Sequence, residues 1–379
     1  VWGYVKYHHP GFDSEDMEID KELFGLLAQA TYGEPCQRNE ILCRWIDGLG
    51  EFRIDEGLYL TMVSDTSVHR MVADLSWISD SDLLGEELSE KLQALRYAVR
   101  QENPFVEKTG ASLTHLGNSY DEGETLDCGY RLLALFRYWN IIEYYFPHKH
   151  LMDRDWDSIL SEIIPVLVNA GTEHEYKLSL SRLIGQTDDS HAVVDNRFLF
   201  GRRYARLKAS FVGEKLICTE GAEGVPLKIV PGDEILEVDG EEIAAIVAKT
   251  REYTSASNRD VLLRDAALHA FRSDSSRMTV KFRRDGLINS VVLGTFEFLE
   301  KKALPESCSI IHDSIGYLYG GTFDQKEVAK IQRKLDSTKA VIVDLRCYPK
   351  NFMIPFIGSY FTEDSKDFVL FSQPNLLLP

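Results

Sequence analysis

Apolar positions recur along this chain with two different periods, and the change from one to the other falls near residue 205. Before it, apolar residues come three and four apart, the spacing of one helix face. Residues 21–30, 80–99 and 156–170 read as amphipathic helices, and in the second of them Leu83, Leu84, Leu88, Leu92 and Leu95 share a face. Residues 1–10 read as the end of another amphipathic helix, closed by Pro10, and residues 139–147 as one closed by Pro147. Proline stops a helix because it has no N–H and its ring collides with the turn before it. Trp139, Tyr144, Tyr145 and Phe146 fall at helical spacing, and such a stripe is more often core than a ligand box. Residues 103–127 are polar and glycine-rich, which predicts a loop or linker. After 205 the apolar runs are short. Strands are expected at 207–212, 215–219, 234–238, 278–282 and 290–293, with helices at 243–253 and 260–270. From 305 a strand at 315–319, a helix at 325–335 and a strand at 340–345 form a βαβ pattern, the start of a parallel sheet.

Two stretches in the helical part look alike. Trp2 to Pro10 matches Trp139 to Pro147; acidic residues and a periodic helix follow in both, and the copies close at Leu49-Gly50 and at Leu183-Ile184-Gly185. Either a unit spanning residues 1–52 was duplicated as 130–190, or similar helices arose independently. Two copies are too few for a solenoid.

Composition changes this picture little. Apolar residues make up 44% of the 379, enough for a sizeable core, and the length suggests two or three domains. The net charge of −18 speaks against nucleic acid, which needs a basic surface. Cys36, Cys43, Cys128, Cys218, Cys308 and Cys347 contain no C-x-x-C pair, so six free and mostly buried thiols are expected. No stretch is long and apolar enough for a membrane span, and residues 1–10 lack the character of a signal peptide. The abrupt start and end read as a portion of a longer precursor. His8-His9 and His148-x-His150 lack partners at zinc spacing, so solvated helix ends are expected there and no metal.

Three segments carry candidate chemistry. Residues 231–240 (Pro-Gly-Asp-Glu-Ile-Leu-Glu-Val-Asp-Gly) read as two turns around a buried strand. Upstream lies Asp188-Asp189-Ser190-His191, and downstream Val341-Ile342-Val343-Asp344-Leu345-Arg346. An imidazole titrates near neutrality and can take a proton from an attacking hydroxyl, while a lone Ser-His is more often a loop or cap. The paired aspartates would suit a glycosidase or a divalent ion, or would cap a loop.

In this order the segments resemble landmarks of the carboxyl-terminal processing and tricorn-type serine peptidases (serine peptidase family 41), with a Bacteroidetes-like member that carries a PDZ domain as the nearest pattern. Residues 231–240 resemble the PDZ signature Pro-Gly-Asp-x-Ile-Leu-x-Val-(Asp/Asn)-Gly, Ile315-Gly316-Tyr317-Leu318-Tyr319 resembles the strand that opens the protease core, and residues 341–346 resemble its Asp-Leu-Arg strand. Trp139 to Pro147, Asp155-Trp156 and Leu183 to His191 resemble the helical region of bacterial members. The resemblance implies a multidomain α+β protein. Its parts would be a helical region over 1–127, a second helical unit over 128–204, a PDZ-like domain over 205–298 and the beginning of a crotonase/ClpP-like α/β core over 305–379.

The resemblance also implies a serine peptidase acting on polypeptides, without a cofactor, in the periplasm, the wider cell envelope or the secreted space. His191 would be the general base and Ser190 its neighbour in catalysis. Phe211, Val212 and Gly213 are a rough match to the peptide-binding loop of the PDZ module, and Asp344 with Arg346 reads as a structural pair. The family's nucleophile sits in a Gly-x-x-Ser-Ala-like turn. Ser359, Ser365 and Ser372 lie in no such turn, so the nucleophile is expected after Pro379 and these 379 residues alone are expected to be inactive. A second departure follows Asp-Leu-Arg. The family has Gly-Asn-x-Gly-Gly there, whereas this chain has Cys347-Tyr348-Pro349-Lys350-Asn351, leaving Lys350 and Asn351 to supply any oxyanion N–H groups. A non-catalytic peptide-binding envelope protein is the alternative.

Overall fold

In a computed structural model, which describes every residue except 14–17, 65–72, 110–111, 121–126, 298–302, 365–366, 368–374 and 378–379, the change of period near 205 becomes a change from helices to sheet. The chain divides into two units, Val1–Phe298 together with Ser372–Pro379, and Leu299–Phe371.

The helical part of the first unit contains the expected pair of similar pieces. Helices Trp2–His8, Ile19–Ala30 and Pro35–Gly48 form the first, and Cys128–Tyr145, Trp156–Asn169 and Glu173–Gly185 the second. Trp2 donates its indole N–H to the carbonyl of Ile19, 17 residues on and the first residue of the next helix (3.0 Å). Trp139 does the same to Trp156 over the same separation (3.1 Å), and Trp156 returns the bond to Trp139 (3.0 Å). Both third helices open with a capping box, Glu34 with Gln37 and Thr172 with Glu175.

Equivalent positions of the two pieces also face each other. A Cβ on Gly3 would lie 1.7 Å from Oδ1 of Asn140, and the rings of Tyr7 and Tyr144 meet edge-on at 5.5 Å. An apolar cavity of about 320 Å³ is lined by Trp2 and Trp139, by Leu23 and Leu160, and by Gly3 and Asn140. Each pair has the same sequence offset, so the contact is isologous, as in a two-fold dimer. These shared features favour duplication over independent origin.

Helix Trp2–His8 is not amphipathic as expected. It is buried on every side, Lys6 and His8 included, because the second helical piece and helix Ser81–Leu95 enclose it. His8 and His9 are therefore buried as well, not solvated helix ends; desolvation pushes their pKa values down to about 3 and about 4. Leu83 is exposed rather than in line with Leu84, Leu88, Leu92 and Leu95, since Gly85 (φ 72°) breaks the helix and puts its first turn out of phase. Part of the expected linker is a hairpin, Val106–Thr109 with Ser112–His115.

Lys6 has an aromatic cage. Its Nζ lies 4.6 Å from the ring centre of Phe105, 5.3 Å from that of Tyr7 and 5.4 Å from that of Trp2. Cation–π attraction is worth about 2 kcal/mol when desolvated. Desolvation, the largest influence, lowers the Lys6 pKa to about 8, a cost of about 3 kcal/mol below that pH that the cage offsets only in part. Lys6→Met is expected to raise stability by about 1–3 kcal/mol near neutral pH. Urea unfolding measures it; a loss of stability would show that the cage holds the cation favourably.

From Arg203 the chain builds an eight-stranded antiparallel sheet. Its order is Lys208–Val212, Lys215–Glu220, Glu234–Val238, Arg277–Arg284, Leu287–Phe296, Arg203–Ala205 and Arg272–Ser273, with Glu241–Glu242 paired to Glu234–Val238. Met278, Val280 and Phe282 are buried at alternate positions, as one face of a strand requires. Asp239 (φ 49°) and Gly240 (φ 85°) form the two-residue turn between Val238 and Glu241, with φ positive at both places as a type I′ turn demands. Lys208–Val212 is an edge strand, and helix Arg259–His269 packs beside it.

The second unit holds a three-stranded sheet. Cys308–Ile311 runs antiparallel to Ile315–Tyr319, which runs parallel to Ala340–Asp344. Helix Val328–Leu335 makes the crossover, and Leu318, Phe323, Ile331, Leu335, Met353 and Ile357 form the core. The six thiols are free; three are buried, two half-buried, and Cys36 is exposed. Among the described residues no helix is long and apolar enough to cross a membrane.

Candidate functional site

Helix Glu173–Gly185 ends against helix Ile243–Tyr253, and its last residue sets the approach: a Cβ on Gly185 would lie 2.9 Å from the carbonyl oxygen of Glu252. The residues that follow are the Ser-His loop. Thr187 is buried and donates its hydroxyl to the Ile184 carbonyl (2.8 Å), which turns the chain back on its helix. Asp188 takes a positive φ of 49°, which aspartate tolerates better than most residues. Its carboxylate accepts the Asp153 N–H (2.9 Å) and pairs with Arg251.

The next two residues are held from across the chain. Asp189 donates its N–H to Oγ of buried Ser255 (2.8 Å), which is also 3.1 Å from the Thr187 hydroxyl. Ser190 and Ser257 exchange backbone N–H bonds with each other's hydroxyls (3.0 and 3.1 Å), and the two hydroxyls lie 2.7 Å apart. Ser257 is itself fixed, because Asn258 caps the following helix by accepting the Val261 N–H (3.0 Å). The Ser190 hydroxyl, read from sequence as a catalytic neighbour, is thus engaged in a structural clasp.

His191 closes the loop. Its backbone N–H donates to Oδ1 of Asp189 (3.0 Å), and its ring Nδ1 lies 3.2 Å from the same oxygen. The side chain is 97% exposed, so Nε2 faces solvent. A carboxylate has no proton to give, so Nδ1 carries the hydrogen of this bond, and in the neutral ring Nε2 is then the nitrogen with the lone pair. That is the arrangement a general base needs.

The remaining sequence candidates lie apart from this loop. Phe211 and Val212 end the edge strand; Phe211 packs half-buried on the sheet core and Val212 is exposed. Gly213 (φ 60°) makes the turn to the next strand, where Glu214 pairs with Arg259. In the second unit Arg346 makes two bonds to Asp344 (2.7 and 3.0 Å), and the Tyr317 hydroxyl donates to the same carboxylate. Arg346 first, then Tyr317, holds the Asp344 carboxyl well below the usual range. The Lys350 N–H donates to the Gly320 carbonyl (3.0 Å), and its Nζ pairs with Asp324. Asn351 accepts the Gln325 N–H through its side chain (3.2 Å). Ser359 is exposed and bonds back to Pro355 on its own helix; Ser365 and Ser372 lie outside the described residues. His148 and His150 are exposed, and among the described residues no cluster of His, Cys, Asp or Glu is arranged to hold a metal.

Sequence reasoning found the loop but not its supports. Ser255 and Ser257 sit in Thr254-Ser255-Ala256-Ser257-Asn258, a hydroxyl-rich run before a helix, which on its own signals only a cap.

No protein-family model and no curated protein matches the chain. Among solved structures it is similar to mature CPAF complexed with lactacystin, at 17% identity and a TM-score of 0.41, over 57% of this chain and 56% of that one. Mature CPAF alone is similar at 16% identity and 0.39, and a serine-to-alanine mutant of CPAF at 18% identity and 0.39. The chain thus spans a little over half the length of each structure it matches.

Proposed function

We propose that this chain carries the base-bearing part of a serine peptidase acting on polypeptides. The observation that supports it most directly is the imidazole of His191, with Nδ1 against Asp189 and Nε2 open to solvent on a loop held at three successive residues. In the reaction His191 takes the proton of a serine hydroxyl as that hydroxyl attacks a peptide carbonyl, and returns it to the leaving amine. The nucleophile is unassigned: no serine described after Arg346 sits in a turn that would activate it. The edge strand Lys208–Val212 suits an extended polypeptide, which would add to the sheet by main-chain bonds. By its sequence resemblance the protein is assigned to the cell envelope or the secreted space.

A fluorophosphonate probe on the full-length protein tests this. Labelling is expected, and His191→Ala is expected to slow it by about 10²–10⁴-fold, the range for loss of a general base. No labelling under conditions that label a related peptidase would instead mark a non-catalytic peptide-binding protein.

A further inference from the structure

We propose that Asp189, Ser255 and Ser257 are positioning residues that fix the tautomer and direction of the His191 imidazole. This deepens the peptidase reading, on which it rests for its purpose; the geometry stands independently. The last turn of helix Ile243–Tyr253 and its connection to helix Arg259–His269 reach the loop at successive residues. Arg251 holds Asp188, Ser255 holds Asp189 and Ser257 holds Ser190. The Ser255 and Ser257 contacts each hold a backbone N–H of the loop, at Asp189 and Ser190, and the Arg251 contact holds the Asp188 carboxylate. Asp189 then converts backbone position into ring orientation, because one carboxylate oxygen accepts both the His191 backbone N–H and the ring Nδ1. A free imidazole in water favours hydrogen on Nε2, the wrong nitrogen for a base that must face outward. The Asp189 carboxylate reverses that preference, and the serine clasp keeps the carboxylate where it can do so. Ser190 serves as the inner half of the clasp, with its hydroxyl toward Ser257.

The test reads protons rather than turnover. Histidine side chains of the full chain are labelled with ¹⁵N, and the His191 signals are identified by their loss in His191→Gln. Wild type is expected to show the Nδ1–H form. Asp189→Ala, which removes a carboxylate bonded to His191, is expected to return His191 to the mixture of a free imidazole. Ser257→Ala and Ser255→Ala are expected to move it the same way, with Ser257→Thr restoring the wild-type pattern because the hydroxyl is retained. Unchanged signals from buried His8 and His9 show that each variant is folded. The proposal is overturned if wild-type His191 already has the free-imidazole pattern, or if Ser257→Ala and Ser255→Ala both leave the pattern intact. Should the serine variants not fold, Asp189→Ala decides alone. Failure of fluorophosphonate labelling would remove the peptidase reading without altering these spectra, so the two failures are distinguishable.

Discussion

Acid is expected to loosen the helical part of this protein well before it protonates ordinary carboxylates. His8, His9 and His115 are withdrawn from water, and desolvation lowers their pKa values to about 3, about 4 and about 4. Above pH 6.5 all three are neutral whether folded or not, and their burial in neutral form is fully tolerated. As the pH falls below 6.5 the unfolded chain gains protons that the folded chain refuses, so stability is lost, down to about pH 4 for His9 and His115 and about pH 3 for His8. His8, fully enclosed, accounts for about 1.4 kcal/mol per pH unit; discounting the other two for partial solvent access, the total slope is about 3 kcal/mol per pH unit. The net charge of −18 acts the other way, since protonation relieves self-repulsion. Comparison with His8→Phe separates the two. The urea midpoint is expected to fall between pH 6.5 and about 4.5 in both proteins, and less steeply in the variant by about one proton. Equal slopes would refute the assignment.

Gly201→Ala is expected to cost about 2–5 kcal/mol, the sum of a left-handed backbone and an overpacked contact. Gly201 has φ 94°, and a Cβ there would lie 2.3 Å from the carbonyl carbon and 2.6 Å from the Cα of Ser273. Both are main-chain atoms, so no rotamer change makes room. Gly201 also leads from helix Arg197–Phe200 into the sheet, and its carbonyl accepts a bond from Arg272 (3.0 Å). Gly286 is the control: its φ is 79°, but nothing lies within 4 Å of a Cβ, so Gly286→Ala should cost only about 1 kcal/mol. Thermal unfolding compares the two variants, and equal losses would rule out the close approach at Gly201.

How far the sequence could be read depended on what each signal measures. Helix 243–253 and the strand at 234–238 were legible to the residue, because Pro231-Gly232 and Asp239-Gly240 are local turn chemistry. The burial of His8 and His9 was not legible, since it depends on Tyr144 and Phe52 from distant parts of the chain. The hairpin at 106–115 was missed because its strands are short and polar; residues 107–109 are exposed. At the candidate site, Asp188 to His191 stood out as a motif, whereas Ser255 and Ser257 could be recognised only in three dimensions. Small hydroxyls before a helix look the same whether they bond their own turn or a loop far away in sequence.

The isologous contact within the helical part has a consequence for how the two pieces diverged. Where a unit meets its own image, two identical side chains must compete for one volume, and any enlargement on one side has to be matched by shrinkage on the other. Gly3 opposite Asn140 is such a pair: one copy holds the side chain, and the other holds the space for it. At the shared boundary the symmetry is therefore broken, and the two pieces do not have interchangeable roles there.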